Sequence, residues 1–268
     1  MMRLCVVCAL PAEARPWIDH YRLRADGPAP FRTWQSDDVA PVVSGIGQHA
    51  AASACGYLAA HAGASRSTAW INAGIAGHPR LARGAVALVD RCTGAAGVFH
   101  PSLPIASSLS RAPCVTVDDV ERRFAEDALY DMEGYGFYHA ASRFSYPELV
   151  HAVKVVSDNR EQDTGDLDRQ TVSRLVADAM PAIVSALVDP LLEVASDLSR
   201  DEMPPELSDY LERWHFSVSN ERRLRRLAGD YRALAAEDWP PAAEFRACRS
   251  AGEVLERLHA RIHGERRS

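Results

Sequence analysis

Three carboxylates stand where apolar stretches of the chain give way to turns. Glu13 lies in Ala9-Leu10-Pro11-Ala12-Glu13, directly after the apolar run 2–9. Glu133 lies in Asp131-Met132-Glu133-Gly134, at the start of a stretch that reads as a helix to Phe144. Asp158 ends Val155-Val156-Ser157-Asp158. Carboxylates can move protons as general acids and bases, and they can hold a developing positive charge in place. Acidic residues are also common in the first turns of helices, where they complement the macrodipole. Position alone leaves both readings open for each of the three.

The elements that must place these groups alternate in type. Residues 2–9 form a near-continuous apolar run, as expected of a central strand covered on both faces. Pro11 sits where the first turn of a helix tolerates proline, and residues 12–20 continue that helix. The short run 40–44 precedes Gly45-Ile46-Gly47, and the Ala-rich stretch 48–62 predicts a helix. Residues 68–72 read as a strand that ends in a glycine-flanked turn, Gly74-Ile75-Ala76-Gly77. Residues 86–90, 114–117 and 151–156 read as further strands. This alternation predicts an α/β fold, and in such folds ligands gather at the carboxyl ends of the strands. Residues 168–198 have helical periodicity, with Pro181 and Pro190 as breaks or kinks. From Pro204 onward strand signals are missing, arginines are frequent, and short amphipathic segments suggest a helical extension. The expected organisation is a catalytic domain over 1–198 and an extension over 199–268.

Composition narrows the classes. The chain has 268 residues, 47% of them hydrophobic and 25% charged, which excludes disordered and fibrous readings. A formal net charge of −6 weighs against nucleic acid as the main partner. No unbroken apolar run approaches the roughly 20 residues that span a bilayer, so no membrane association is expected and a cytoplasmic location is the default. There are six cysteines, and Cys5 and Cys8 have CxxC spacing, but they fall inside a strand where residues three apart point to opposite faces. Buried reduced thiols are expected. No metal or organic cofactor is suggested.

Taken in order, Ala9–Glu13, Ser44-Gly45-Ile46-Gly47, Ile71-Asn72-Ala73-Gly74-Ile75-Ala76-Gly77, Asp131–Gly134 and Val155–Asp158 resemble the nucleoside phosphorylase superfamily. The likeness is to its nucleosidase branch, the methylthioadenosine/S-adenosylhomocysteine nucleosidases and futalosine hydrolases, and spans about residues 3–195. It implies a three-layer α/β/α sandwich around a mixed, partly barrel-like sheet, a homodimer, and cleavage of a ribosyl N-glycosidic bond in a nucleoside. By that resemblance Glu133 accepts hydrogen bonds from the ribose hydroxyls and Met132 packs against the sugar. Asp158, beside Ser157, protonates or hydrogen-bonds the departing purine. Glu13 holds and deprotonates the attacking water. Ser44 and Gly45 let backbone approach the ligand, Ala73, Gly74 and Ile75 line the sugar and nucleophile side, and Val120 or Phe124 supplies an apolar face for the base.

Phosphorylases of this superfamily hold phosphate with arginines, one near the first strand and one ahead of the glycine turn. Here the first loop carries Glu13 and the turn follows Ile71-Asn72-Ala73, so hydrolysis is favoured. Arg15, Arg80 and His78 keep the phosphorylase alternative open. A non-catalytic nucleoside-binding protein is a third reading.

Several features fall outside the resemblance. Tyr135, Phe137 and Tyr138 either narrow the ligand pocket or form a core stripe. The run Glu221-Arg222-Arg223-Leu224-Arg225-Arg226-Leu227 is a solvated helix face or a phosphate- or nucleic-acid-contacting patch. His259 and His263, four apart, have metal-ligand spacing without an evident third ligand. Trp214, His215 and Phe216 are expected to dock the extension onto the core or a second subunit.

Overall fold

The apolar run near the N-terminus forms strand β1 (Leu4–Cys8), every residue of which is buried. Its side chains alternate between the two faces of a sheet. Cys5 and Val7 pack in one cluster with Ala51, Ala54, Cys55, Leu58, Phe137 and Tyr138, whereas Cys8 lies on the Glu13 side. The CxxC pair therefore points two ways, and all six cysteines are buried and free. The computed structural model describes residues 2–27, 29–162, 167–201, 207–234 and 239–264. They fall into two compact units, Met1–Ser196 and Asp197–Ser268.

The first unit is a mixed sheet between helices. Ten strands follow in chain order: β1, β2 (Arg24–Ala25), β3 (Arg32–Gln35), β4 (Val39–Val43), β5 (Ala69–Gly77), β6 (Val86–Gly94), β7 (Gly97–Phe99), β8 (Ser110–Thr116), β9 (Leu129–Asp131) and β10 (Val150–Asp158). β1 runs parallel to β4 on one side and to β5 on the other. β10 pairs with β5 in parallel and with β6 in antiparallel fashion. Because β6 continues through β8 and β9 back to β5, five strands close into a ring, and β1, β4, β3 and β2 extend from it as an open wing. Helix α1 (Pro11–Tyr21) packs with α4 (Arg169–Ile183), and α2 (Gln48–His61) packs with α3 (Gly134–Ala141).

One expectation is corrected here and a second is qualified. Gly74-Ile75-Ala76-Gly77 is not a turn: β5 continues through it, held in register by β10, with Lys154 opposite Gly74 and Val156 opposite Ala76. Glycine in a strand interior often marks a close approach, and a Cβ on Gly74 would lie 2.6 Å from Glu13 Oε1. The second concerns apolar length. The continuous helical stretch Arg169–Ser199 is long and apolar enough by length and composition to cross a membrane. Charged residues interrupt it in sequence, so no unbroken run is visible. In the fold its apolar face is spent on the core: Val172, Val176, Met180, Ile183, Leu187 and Leu191 are all buried. Pro181 is accommodated inside α4, while a π turn at Val184–Val188 precedes α5 (Asp189–Asp201), near whose start lies Pro190.

The described residues of the second unit are helical or irregular: α6 (Ser208–Arg213), α7 (Val218–Leu234), a 3-10 turn at Ala242–Phe245 and α8 (Ala251–Gly264). Their core gathers Tyr210, Trp214, Leu224, Leu227, Phe245, Val254, Leu255 and Leu258. Trp214 does not serve as an external dock: it is buried within this unit, and its Nε1 donates to the Cys248 carbonyl at 3.0 Å. Phe216 packs partly against the same cluster, and His215 is exposed. Along α7, Leu224 and Leu227 turn inward, Arg223 and Arg226 outward, and Arg225 pairs with Glu221 at 2.6 Å. The side chains of Arg222 and His263 lie outside the described residues.

Candidate active site

The carboxyl ends of β1, β5, β9 and β10 converge on one cavity of about 290 Å³. This is close to the lower end of the roughly 300–1,000 Å³ usual for small-molecule sites. It is lined by Glu13, Glu133 and Asp158, with Ile75, Val120, Met132 and Ser157 among the residues between them. Seven of the eleven residues named from sequence thus share one lining: Glu13, Ile75, Val120, Met132, Glu133, Ser157 and Asp158. Ser44, Gly45, Ala73 and Gly74 are not part of it.

Each of those four supports the wall from behind. Ser44 donates its backbone N–H to the Cys8 carbonyl (2.8 Å) and its hydroxyl to the Gly45 carbonyl (2.7 Å), tying the end of β4 to β1. Gly45 and Gly47 have φ of +86° and +105°, which glycine adopts without strain. This bend brings the Gly47 N–H to Glu133 and leaves Ile46 lining the cavity. Ala73 and Gly74 lie within β5, and Gly74 makes room for the Glu13 carboxylate.

Glu13 is buried (3% exposed) in the first turn of α1. Its Oε2 accepts the Leu10 N–H at 2.8 Å, a capping contact, so the helix-start reading of this residue is correct as far as it goes. Its Oε1 accepts the Ile75 N–H of β5 at 2.9 Å, a contact that helix capping does not need. Burial pushes the Glu13 carboxyl up to about 7, against the lowering effect of the two N–H donors and of Lys154.

Glu133 caps α3 and accepts the Gly47 N–H at 2.8 Å. Burial raises its pKa, and the nearby Lys154 ammonium opposes the rise. At the end of β10, the Ser157 hydroxyl donates to Asp158 Oδ1 at 2.5 Å. A Cβ on Gly77 would lie 2.8 Å from Asp158 Oδ2, so glycine opens this corner too.

Beneath the cavity sits a pair that sequence reading missed. Lys154, 1% exposed, reaches Asp131 Oδ2 at 2.7 Å and donates to Asn72 Oδ1 at 2.7 Å. Asn72 in turn donates to the Val7 carbonyl at 3.0 Å. Asp131 also accepts from the Thr116 hydroxyl (2.7 Å) and the Gly134 N–H (2.8 Å). Burial alone raises a carboxyl, but Lys154 more than offsets it and holds Asp131 below the usual carboxylate range. Burial disfavours the Lys154 ammonium, and Asp131 and Glu133 reverse this and raise its pKa. The available signal was a single lysine inside an otherwise apolar strand, since a charge buried there must find a partner.

The cavity is acidic. Glu13, Glu121, Asp131, Glu133 and Asp158 line it, and no Lys, Arg or His is among the described lining residues. Arg15 is exposed and pairs with Asp19 at 2.7 Å. Arg80 pairs with Asp127. His78 is buried and accepts the N–H groups of Arg80 and Leu81 on Nδ1, at 3.1 and 3.0 Å. Tyr135, Phe137 and Tyr138 are core residues, Tyr138 stacking on Phe99, and none of them lines the cavity. On the remaining side Val117, Val120 and Tyr130 provide apolar surface, and Phe124 packs behind them on Tyr130. Among the described residues no group of three or more His, Cys, Asp or Glu is arranged to hold a metal ion.

The fold is shared with solved structures of nucleosidases and a hydrolase. Solved structures with this fold include the 5′-methylthioadenosine/S-adenosylhomocysteine nucleosidase of S. pneumoniae, determined with a transition-state inhibitor. It is 21% identical, the match covering 69% of this chain and 100% of that one, with a TM-score of 0.54. The futalosine hydrolase of Helicobacter pylori is 13% identical over 69% of this chain and 98% of its own, with a TM-score of 0.56. The 5′-methylthioadenosine nucleosidase of Arabidopsis thaliana is 16% identical over 71% of this chain and 96% of its own, with a TM-score of 0.59. At these identities the likeness is one of fold. No family model and no curated protein sequence matches the chain.

Proposed function

We propose that this protein hydrolyses the N-glycosidic bond of a purine nucleoside or a 5′-modified adenosine of the methylthioadenosine or S-adenosylhomocysteine type, releasing free base. The observation that carries this reading is the convergence of Glu13, Glu133 and Asp158 on one cavity sized for a small ligand.

Cleavage of the bond between C1′ and the base nitrogen leaves positive charge on the sugar and negative charge on the base. Carboxylates fixed beside the sugar stabilise that charge without reorganising. Glu133 does this while accepting hydrogen bonds from the ribose hydroxyls. Asp158 transfers a proton to the departing purine, which then leaves as a neutral base. Water adds its oxygen to C1′, and its proton passes to Glu13. Burial raises the Glu13 pKa to about 7, so the anion is both available and a stronger base than an exposed carboxylate. The products are the free base and the sugar with a hydroxyl at C1′.

The competing nucleophile is phosphate. An anion entering a cavity lined by carboxylates, with no Lys, Arg or His among the described lining residues, is repelled, which supports water as the nucleophile. In the same reading the protein works without a cofactor, as a cytoplasmic homodimer, and light scattering of the purified chain checks the stoichiometry. Methylthioadenosine, S-adenosylhomocysteine, adenosine, inosine and futalosine, each with and without phosphate, test the reaction. Base release without phosphate is expected from at least one. Release that requires phosphate and yields ribose 1-phosphate makes the protein a phosphorylase, and nucleoside binding without release makes it a binding protein.

A further inference from the structure

β5 and β10 are parallel neighbours, and each runs past the acidic cavity into a second one of opposite charge. Gly77 and Asp158 line the first. Within the next three residues, Pro79 and Arg80 from one chain segment and Asn159 and Arg160 from the other line the second. Helix α4 does the same, with Val172 on the acidic cavity and Arg174 on the second. The second cavity is open and has a volume of about 710 Å³. Among the described residues its charged lining is Arg80, Arg83, Arg160, Arg174 and Glu161.

The four guanidinium groups are not equally occupied. Arg80 is engaged with Asp127. Arg160 Nη2 donates to the Phe124 carbonyl at 2.9 Å. Arg83 is different: its Nε and Nη2 are buried and have no hydrogen-bond partner. A guanidinium with two donors covered and unpaired is costly, because it has lost water and gained nothing in return. Such a group calls for a partner, and a bound ion is one that would supply it.

We propose that this cavity binds a phosphoryl group, either free phosphate or the phosphate of a small phosphorylated molecule. The number of guanidiniums exceeds what one carboxylate would need. The planar donor pair suits two phosphoryl oxygens at once. The site is separate from the acidic cavity and does not depend on the reaction assigned there. It is placed to act on it, however. The segments that carry Arg83 and Arg160 also hold Asp158 in position: the His78 N–H donates to the Asp158 carbonyl (3.0 Å), and Asn159 Nδ2 donates to the Leu81 carbonyl (2.9 Å).

The test is calorimetric titration of the full chain with inorganic phosphate and with adenosine 5′-monophosphate, at constant ionic strength, against the variant Arg83→Gln/Arg174→Gln. A saturable isotherm that weakens at least tenfold in the variant supports the site. Tighter binding of the nucleotide assigns it to a phosphorylated nucleoside, and equal binding assigns it to free phosphate. The variant Arg83→Lys/Arg174→Lys keeps the charge and loses the fork, so it should bind between the other two. The proposal is overturned if neither probe gives saturable binding, if the Gln variant binds as well as the parent while keeping its melting temperature, or if adenosine competes with inorganic phosphate. The last result would put phosphate in the acidic cavity.

Discussion

The two units treat buried polarity in opposite ways. In Met1–Ser196 the region beneath the strand ends buries Glu13, Asn72, Asp131, Glu133, Lys154 and Asp158. In Asp197–Ser268 no charged side chain is buried among the described residues. Two polar atoms that enter that core, Trp214 Nε1 and Tyr210 Oη, donate to backbone carbonyls at 3.0 and 2.7 Å, while Trp239 Nε1 is buried there without a hydrogen-bond partner. An apolar core of this kind gains stability from every group it holds. Desolvating a charge does the reverse, and the ion pair of Lys154 with Asp131 offsets only what its own burial costs. The contrast shows where the fold departs from what stability alone favours, and the departure coincides with the cavity.

The largest test of this contrast is chemical. Asp158→Asn or Glu13→Gln should lower the rate of base release by roughly 100- to 10,000-fold. Folding should be retained, as checked by circular dichroism. Turnover at the parental rate would make these carboxylates structural and align the two units after all.

Next in size is Lys154→Met. It leaves Asp131 buried without its counter-charge and should cost about 3–5 kcal/mol in urea unfolding. Adding Asp131→Asn should recover most of that loss, because the amide can still engage Thr116 and Gly134. If Lys154→Met unfolds like the parent, the buried charges of the first unit carry no penalty and the contrast fails.

The pH profile sharpens the same point. Glu13 must be ionised to take a proton, and burial places its pKa at about 7 rather than 4.5. The value of kcat/KM should therefore fall about tenfold per pH unit on going below 7, and level off above it. A limb near 4.5 would mean that Glu13 is solvated in solution. The smallest effect belongs to the second unit. Trp214→Phe removes the bond to the Cys248 carbonyl and should cost about 1 kcal/mol in stability, leaving the rate of base release unchanged.

Much of the site was legible because strand ends announce themselves. The run 151–156 ends in Ser157-Asp158, and the apolar run 2–9 gives way within four residues to Glu13. β2, β3, β7 and β9, at two to four residues each, are too short to show a period. The glycines in β5 argue for a turn on propensity, and only the neighbouring Glu13 carboxylate explains why a strand tolerates them. Lys154 was passed over because its significance depends on Asp131, which lies 23 residues away in sequence and meets it only when the ring closes. Trp214 looked like a dock because nothing in its immediate sequence foretells Cys248 as its acceptor.

The wide turn at Val184–Val188 has a consequence for how this chain tolerates length changes. Ile183, Leu187, Leu191 and Ala195 are all buried, at a constant step of four. A regular α-helix completes a turn in 3.6 residues, so such a series would creep steadily around the axis. The π turn holds extra chain in one revolution and takes up part of that drift. Removing or adding one residue there would swing Leu191 and Ala195 by about 100°, away from the partners they now face. Natural variants with such a change should be rare in this stretch, while the exposed tips between the short strands accept them readily.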